Sequence, residues 1–257
     1  MLGQGRSPII GKMGESARAA NVRGGQPSRQ QPAIPRVIAV DGSAASGKST
    51  IGRLLAARLG YAFLDTGIMY RAVTREALDR CLDPHDGGAL ANLASSLRME
   101  VDLPPPGAPE GARIRVDGRD VTTKLRLPEV EQAVSIVSRV PGVREAMVRL
   151  QREIASRQPM VIAGRDIGTV VLPDADLKVY LDASPRERAR RRHQEFVSQD
   201  REVTEEMVLE DLRRRDRIDT ERAVSPLRPA SDAVIIDTDG LSQEEVLERV
   251  VDLVKAA

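Results

Sequence analysis

The stretch Gly42-Ser43-Ala44-Ala45-Ser46-Gly47-Lys48-Ser49 has the form G-x-x-x-x-G-K-[ST], a phosphate-binding loop. Four apolar residues, Val37-Ile38-Ala39-Val40, run into it, as a parallel strand buried on both faces should. Behind it, Ile51, Leu54, Leu55 and Leu59 recur at helical spacing through Thr50–Leu59. Strand, glycine loop and helix together make a cradle for phosphates. Gly42 and Gly47 permit the tight turn, and the backbone from Ser43 through Thr50 aims N–H groups inward. The helix N-terminus adds partial positive charge at the same point. Lys48 supplies a point charge for the outer phosphates, and the Ser49 hydroxyl can ligate magnesium.

The chain around this loop has 257 residues, enough for one large α/β domain or one domain with an insertion. Its formal net charge is +1, so no global field draws it to nucleic acid or membrane. Aromatic residues make up 2% with no Trp, which leaves no row of stacking platforms for single strands. One cysteine, Cys81, allows no internal disulfide and fits a reducing cytoplasm. His85 and His193 lie far apart without cysteine companions, which argues against zinc. No run of about 18 apolar residues occurs, so no membrane helix is expected.

Residues 1–35 carry Gly, Ser, Gln, Arg and Pro with little apolar content, and are expected to form a disordered extension. After the loop helix, Tyr61-Ala62-Phe63-Leu64 reads as a second buried strand, closed by Asp65-Thr66-Gly67. Thr66 is expected to cap a helix from Ile68 to about Leu82, and a further helix to span Gly88–Leu97. The rhythm then breaks. Met99–Leu103, Arg113–Val116 and Arg119–Val121 alternate in the manner of strands, with Asp117-Gly118 as a hairpin signal. A small antiparallel sheet inserted into the domain is the reading. Helices are predicted over Pro128–Val140 and after Pro141-Gly142, the second with Val143, Met147, Leu150 and Ile154 on one face.

Met160–Ala163 is a third buried strand, and Gly164-Arg165-Asp166-Ile167-Gly168-Thr169 follows at its carboxyl end, where α/β sheets place ligands. Leu177–Leu181 and Ala233–Ile236 are the fourth and fifth. Between them Arg186–Arg222 holds eleven Arg against eleven Asp plus Glu, which reads as two exposed helices. Pairs at the favourable spacing of four are Glu187–Arg191, Glu210–Arg214 and Asp211–Arg215. A capping box at Ser242 and Glu245 opens a last helix that buries Val246, Leu247, Val250, Val251 and Val254. Five buried strands alternating with helices predict an α/β fold with a parallel doubly wound sheet.

Only Asn21 and Asn92 are asparagines and neither precedes a lysine, so the N-K-x-D base reader of GTPases is absent. Arginines at several strand ends point to a small-molecule kinase whose acceptor is itself a phosphate, because placing it beside ATP demands dense positive charge. A nucleotide-binding switch would share the loop and the fold. It would leave those arginines and Asp65-Thr66-Gly67 without a purpose.

At these residues the sequence resembles bacterial cytidylate kinases, from about Arg36 to Val254. The stretches that carry the resemblance are VDGSAASGKST, FLDTGIMYR, VDGRDVTTKLRLPEVEQAVSIVSRVPGVREAM, AGRDIGTVVLPDADLKVYLDAS and RRRDRIDTERAVSPLRPA. The resemblance implies ATP and magnesium at the loop, with Lys48 and Ser49 serving them, and CMP or dCMP as acceptor. It implies an acceptor site lined by Asp65, Tyr70 and Arg71, with Ser135, Arg144 and Asp166 reading the cytosine edge. Arg165, Arg222 and Lys48 would act on the phosphates, and Arg215 and Asp219 would face the ribose. It implies a P-loop core at 36–65 and 159–257, a nucleotide-binding insertion at 66–158, and a lid near 184–200 bringing arginines over ATP. A cytoplasmic monomer without nucleic-acid or membrane partners is expected. One departure stands out: the acid that usually precedes Gly-Arg-Asp in that family is Ala163 here.

Overall fold

A computed structural model describes residues 34–108 and 110–257. The expected disordered extension, residues 1–35, lies outside the described residues except for Ile34 and Pro35. The first strand, β1 (Val37–Gly42), leads through the loop to α1 (Lys48–Leu59), β2 (Ala62–Asp65), α2 (Gly67–Asp79) and α3 (Gly87–Ser96). Three short strands follow, β3 (Met99–Asp102), β4 (Arg113–Val116) and β5 (Arg119–Asp120), paired antiparallel in that order. Next come α4 (Pro128–Val137), α5 (Pro141–Ala155) and β6 (Met160–Gly164). The chain closes with β7 (Leu177–Asp182), α6 (Pro185–Val197), α7 (Glu205–Glu221), β8 (Val234–Asp237) and α8 (Gln243–Ala256).

The large sheet has the order β2-β6-β1-β7-β8, and every pair is parallel. Alternation along the strands sorts the core onto two faces. Ile38, Val40, Val161 and Val179 face α1 and α8, meeting Ile51, Leu55, Val246, Leu247 and Val250. Ala39, Ile162 and Leu64 face the other way, toward Met69 and Val73 of α2 and Met147 of α5. The expected last-helix residues are all buried, and the capping box at Ser242 and Glu245 is present. Register does the rest. Asp65 of β2 lies beside Ala163 of β6, and Asp41 of β1 lies beside Gly164. The phosphate loop, Asp65 and the Gly164-Arg165-Asp166 turn therefore leave the sheet side by side at its carboxyl edge, where open α/β sheets bind ligands.

Several local expectations need correction. Leu54 is 37% exposed, off the buried stripe of α1. The fifth strand is not buried: β8 is an edge strand with Val234 and Ile235 open to solvent and only Ile236 in the core. Thr66 does not cap α2; its backbone is already helical and its hydroxyl donates to the Ala163 carbonyl at 2.9 Å. That bond ties the start of α2 to β6. Helix α2 stops at Asp79, because Cys81 adopts φ 53° and the amides of Cys81 and Leu82 bond back to Leu78 and Ala77. This is a Schellman termination with cysteine where glycine is usual. Helix α4 ends at Val137 because Pro141 forces Val140 into an extended conformation. On α5 Gln151 is buried, while Leu150, expected on the buried face, is only partly covered. Arg214 pairs with Asp211, not Glu210; Glu187–Arg191 forms at 2.8 Å.

Candidate active site

The loop after β1 is held by its own backbone requirements. At Gly42, φ is 156°, and a Cβ there would meet the Leu181 carbonyl at 2.4 Å and Ser46 Oγ at 2.6 Å. Gly47 sits at φ 91°, and Ala45 adopts φ 59°, a conformation that costs a residue with a side chain about 1 kcal/mol or more. Lys48 folds back so that Nζ donates to the Ser43 carbonyl at 2.8 Å. Burial and the neighbouring Arg165 hold its ammonium well below the usual lysine range, against the pull of Asp65 and Asp219. Ser49 Oγ donates to Asp65 Oδ2 at 2.7 Å, and the other Asp65 oxygen accepts from the Gly67 amide at 2.9 Å. Burial pushes the Asp65 carboxyl up, but Arg71, Ser49, Lys48 and the Gly67 amide outweigh it and leave it below the ordinary range.

A cavity of about 330 Å³ opens from this loop. Every acceptor-site residue expected from the sequence lines it: Asp65, Tyr70 and Arg71 from β2 and α2, Ser135 from α4, and Arg144 from α5. The turn after β6 adds Arg165 and Asp166; α7 and its end add Arg215, Asp219 and Arg222. Of the loop, Ala44, Ala45 and Gly47 through Thr50 reach the wall; Gly42, Ser43 and Ser46 stand behind it.

The floor is a chain of alternating charges. Arg144 Nη2 donates to Asp166 Oδ2 at 2.5 Å, with both side chains nearly inaccessible. Arg222 lies 3.7 Å from Asp166 and 3.6 Å from Asp219. Asp219 accepts from Arg165 Nε at 2.8 Å, and Arg165 Nη1 donates to the Gly42 carbonyl at 2.9 Å. Arg144 also lies over the Tyr70 ring at 5.3 Å. The phenol of Tyr70 is pushed up to about 12 by burial, so it is neutral at any working pH.

Donors outnumber partners here. Among the described residues, Tyr70 Oη, Arg71 Nε, Arg144 Nε, Arg215 Nε and Arg222 Nη2 are buried without a hydrogen-bond acceptor. Each such group is costly to leave unpaired. Burial pulls the Arg71 guanidinium down to about 10, and burial likewise lowers Arg215 and Arg222. A bound polyanion would reverse both penalties.

Sequence reasoning missed some of this machinery. Asp41 is buried at the end of β1 and accepts from the Ile167 and Gly168 amides at 2.8 Å, fixing the turn that carries Arg165 and Asp166. Desolvation raises its carboxyl to about 6 despite those bonds. Its place directly before Gly42 was the available signal. Arg53 and Arg126 also line the cavity, and nothing in their spacing marks them. Of the arginines between 186 and 192, Arg192 alone reaches the wall, held by Glu131 at 2.8 Å and Glu195 at 2.7 Å. Arg188 instead turns behind the loop, onto Asp216 at 2.7 Å and the Ala44 carbonyl at 3.2 Å. A second cavity of about 200 Å³ adjoins the first, sharing Ser49, Arg53, Asp65, Arg71 and Arg126, and its other lining residues include Tyr61, Phe63 and residues 104–108 and 110–112.

The model of the family described as cytidylate kinase matches residues 38–256. The chain belongs to the cytidylate kinase family. A cytidylate kinase from Pelotomaculum thermopropionicum is 47% identical over 221 residues, covering 85% of this chain and 96% of that protein. One from Roseiflexus castenholzii is 49% identical over 219 residues, covering 84% and 92%. Among solved structures, a shikimate kinase from Bacteroides thetaiotaomicron shares 13% identity, covering 85% of this chain and 98% of its own, with a TM-score of 0.45. The chain is thus a kinase of the cytidylate kinase family on a five-stranded parallel sheet with a small antiparallel sheet inserted. Among the described residues, no helix is long and apolar enough to cross a membrane.

Proposed function

We propose that the chain transfers the γ-phosphoryl group of ATP to CMP and dCMP, yielding CDP and dCDP with ADP as the second product. The observation that carries this reading is the group of buried guanidinium donors without acceptors, Arg71, Arg215 and Arg222. They line one cavity with the phosphate loop and the Arg144–Asp166 pair. A nucleoside monophosphate would supply anionic oxygens to the first and a base edge to the second. The loop amides and Lys48 would hold the donor phosphates. An oxygen of the acceptor phosphate attacks the γ-phosphorus in line as the bond to the β–γ bridging oxygen breaks. Arg165 and Arg222, with Lys48, would offset the charge spread over the equatorial oxygens. That oxygen is already anionic, so the step needs no general base. Arg215 and Asp219 would face the ribose, and Ser135 would join Arg144 and Asp166 at the base.

Magnesium, when bound, would neutralise charge between the β- and γ-phosphates. The donor set fits a small hard cation that keeps most of its waters: a hydroxyl at Ser49 and the Asp65 carboxylate bonded to it. Asp65 lies in register beside Ala163, so it offers a carboxylate next to the position where the family's usual acid is absent. In this reading 36–65 and 159–257 form the core, 66–158 the acceptor-binding insertion, and about 184–200 the lid, with Arg192 the residue poised to swing over ATP. In this reading the protein acts as a monomer in cytoplasmic pyrimidine metabolism.

The deciding experiment is a coupled assay for ADP with ATP and magnesium, run without acceptor and with each nucleoside monophosphate. CMP and dCMP should raise turnover far above the acceptor-free rate. ADP release independent of any monophosphate would end the proposal.

A further inference from the structure

Gln151 is an anomaly. It sits two turns after Arg144 on the buried face of α5 and is 1% exposed. Neither its amide nitrogen nor its amide oxygen has a hydrogen-bond partner among the described residues. An apolar side chain would cost less at such a position, since burying an unpaired amide forfeits its hydration. The Tyr70 hydroxyl, also buried and without a hydrogen-bond partner among the described residues, is a polar group close to this amide. Tyr70 in turn lies under Arg144 and lines the cavity. Two orphaned polar groups lie close together one layer behind the acceptor site.

The polarity of that pair matters. A phenol carries one O–H donor and lone pairs on the same oxygen. If the Gln151 amide N–H donates to a Tyr70 lone pair, the phenol hydrogen is left to point into the cavity. If the amide oxygen takes that hydrogen instead, Tyr70 shows the cavity only lone pairs, which repel an anion. Arg71, which follows Tyr70 on α2, and Arg222 keep donors without acceptors on the same cavity wall and favour an anionic ligand, and an anionic ligand needs the donor.

We propose that Gln151 is a positioning residue for the acceptor nucleotide: its amide N–H donates to Tyr70 Oη and so commits the phenol O–H to an oxygen of the bound monophosphate. This rests on the kinase reading above. Gln151 touches no substrate; it acts through Tyr70. Its contribution is realised when the bond tightens as the acceptor seats.

The test is a double-mutant cycle of Gln151→Met and Tyr70→Phe, with kinetics and CMP binding by titration calorimetry. Gln151→Met keeps length and apolar volume, so the core stays filled. It should raise the KM and Kd for CMP about tenfold while the KM for ATP stays within twofold. In the Tyr70→Phe background, Gln151→Met should change CMP affinity by less than twofold, because the group it acts through is gone. Gln151→Glu, which accepts only, should take the phenol hydrogen and weaken CMP more than Gln151→Met does. Equal losses in the Tyr and Phe backgrounds, or a parallel rise in the KM for ATP, would mean a merely structural role and overturn the inference. So would CMP affinity unchanged in Gln151→Met. A wild type that turns over CMP while the cycle is additive defeats this inference alone. A wild type that neither binds nor phosphorylates a monophosphate defeats the kinase reading and this inference with it.

Discussion

Replacing Asp166 with Asn tests most directly the base-reading role proposed for the Arg144–Asp166 pair. Asp166 and Arg144 are 4% and 2% exposed and joined at 2.5 Å, and Arg222 stands 3.7 Å from the same carboxylate. The pair presents an acceptor-only group beside a donor-only group. Cytosine offers the complement, a donor at N4 and acceptors at N3 and O2; uracil reverses the first two. Two mismatched buried groups at about 1–3 kcal/mol each set the wild-type preference for CMP over UMP. About 2.7 kcal/mol corresponds to a hundredfold in kcat/KM, and that is the expected lower bound. In Asp166→Asn the amide can turn and donate to O4, so the ratio should fall to about tenfold, with CMP activity reduced as a charged acceptor is lost. The same change leaves two buried guanidiniums facing a neutral group. Breaking a buried pair costs about 3–5 kcal/mol, and the retained amide oxygen puts this case at the low end. A loss of about 3 kcal/mol should lower Tm by roughly 6–12 °C in a chain of this size. The assays are ADP-coupled kcat/KM for CMP and UMP on both proteins, well below either Tm, and a thermal melt. An unchanged CMP to UMP ratio refutes the base-reading role, whatever the melt shows.

Lys48→Met should reduce phosphoryl transfer by at least a thousandfold without lowering Tm, because the change removes a buried ammonium whose charge is disfavoured in the folded state; turnover within tenfold of wild type contradicts the loop assignment. Asp41 has its carboxyl raised from 3.8 to about 6, so the folded state holds that proton more tightly than the unfolded chain does. Stability from this group is therefore lost as pH rises from about 4 to 6, and Asp41→Asn should remove that loss. Urea titrations should show wild type losing on the order of 3 kcal/mol relative to Asp41→Asn between pH 4 and 7; a pH-independent difference would mean the carboxyl titrates normally. Cys81→Gly relieves a left-handed backbone at the end of α2 and should raise Tm by roughly 2–4 °C, about 1 kcal/mol; a lower Tm would show that the thiol packs usefully.

Most of the elements were legible in local sequence. Four apolar residues before a glycine loop, an alternating pattern broken by Asp117-Gly118 and a capping box at Ser242 are local statements, legible because backbone sterics and burial periodicity act over a few residues. The roles expected for Arg71, Arg144, Asp166 and Arg222 came with family resemblance, and the fold gathers all four on one cavity. The remaining features depend on partners distant in the chain. Gln151 and Leu150 are equally placed by spacing, and tertiary packing buried the first while leaving the second partly covered. Thr66 left its cap for the Ala163 carbonyl because β2 and β6 lie in register. Arg188 and Arg192 share one helix; Asp216 drew the first behind the loop, and Glu131 held the second at the cavity. Val234 and Ile235 read as core and lie exposed, because a strand's burial depends on its place in the sheet, and no local pattern records that β8 is last in the order.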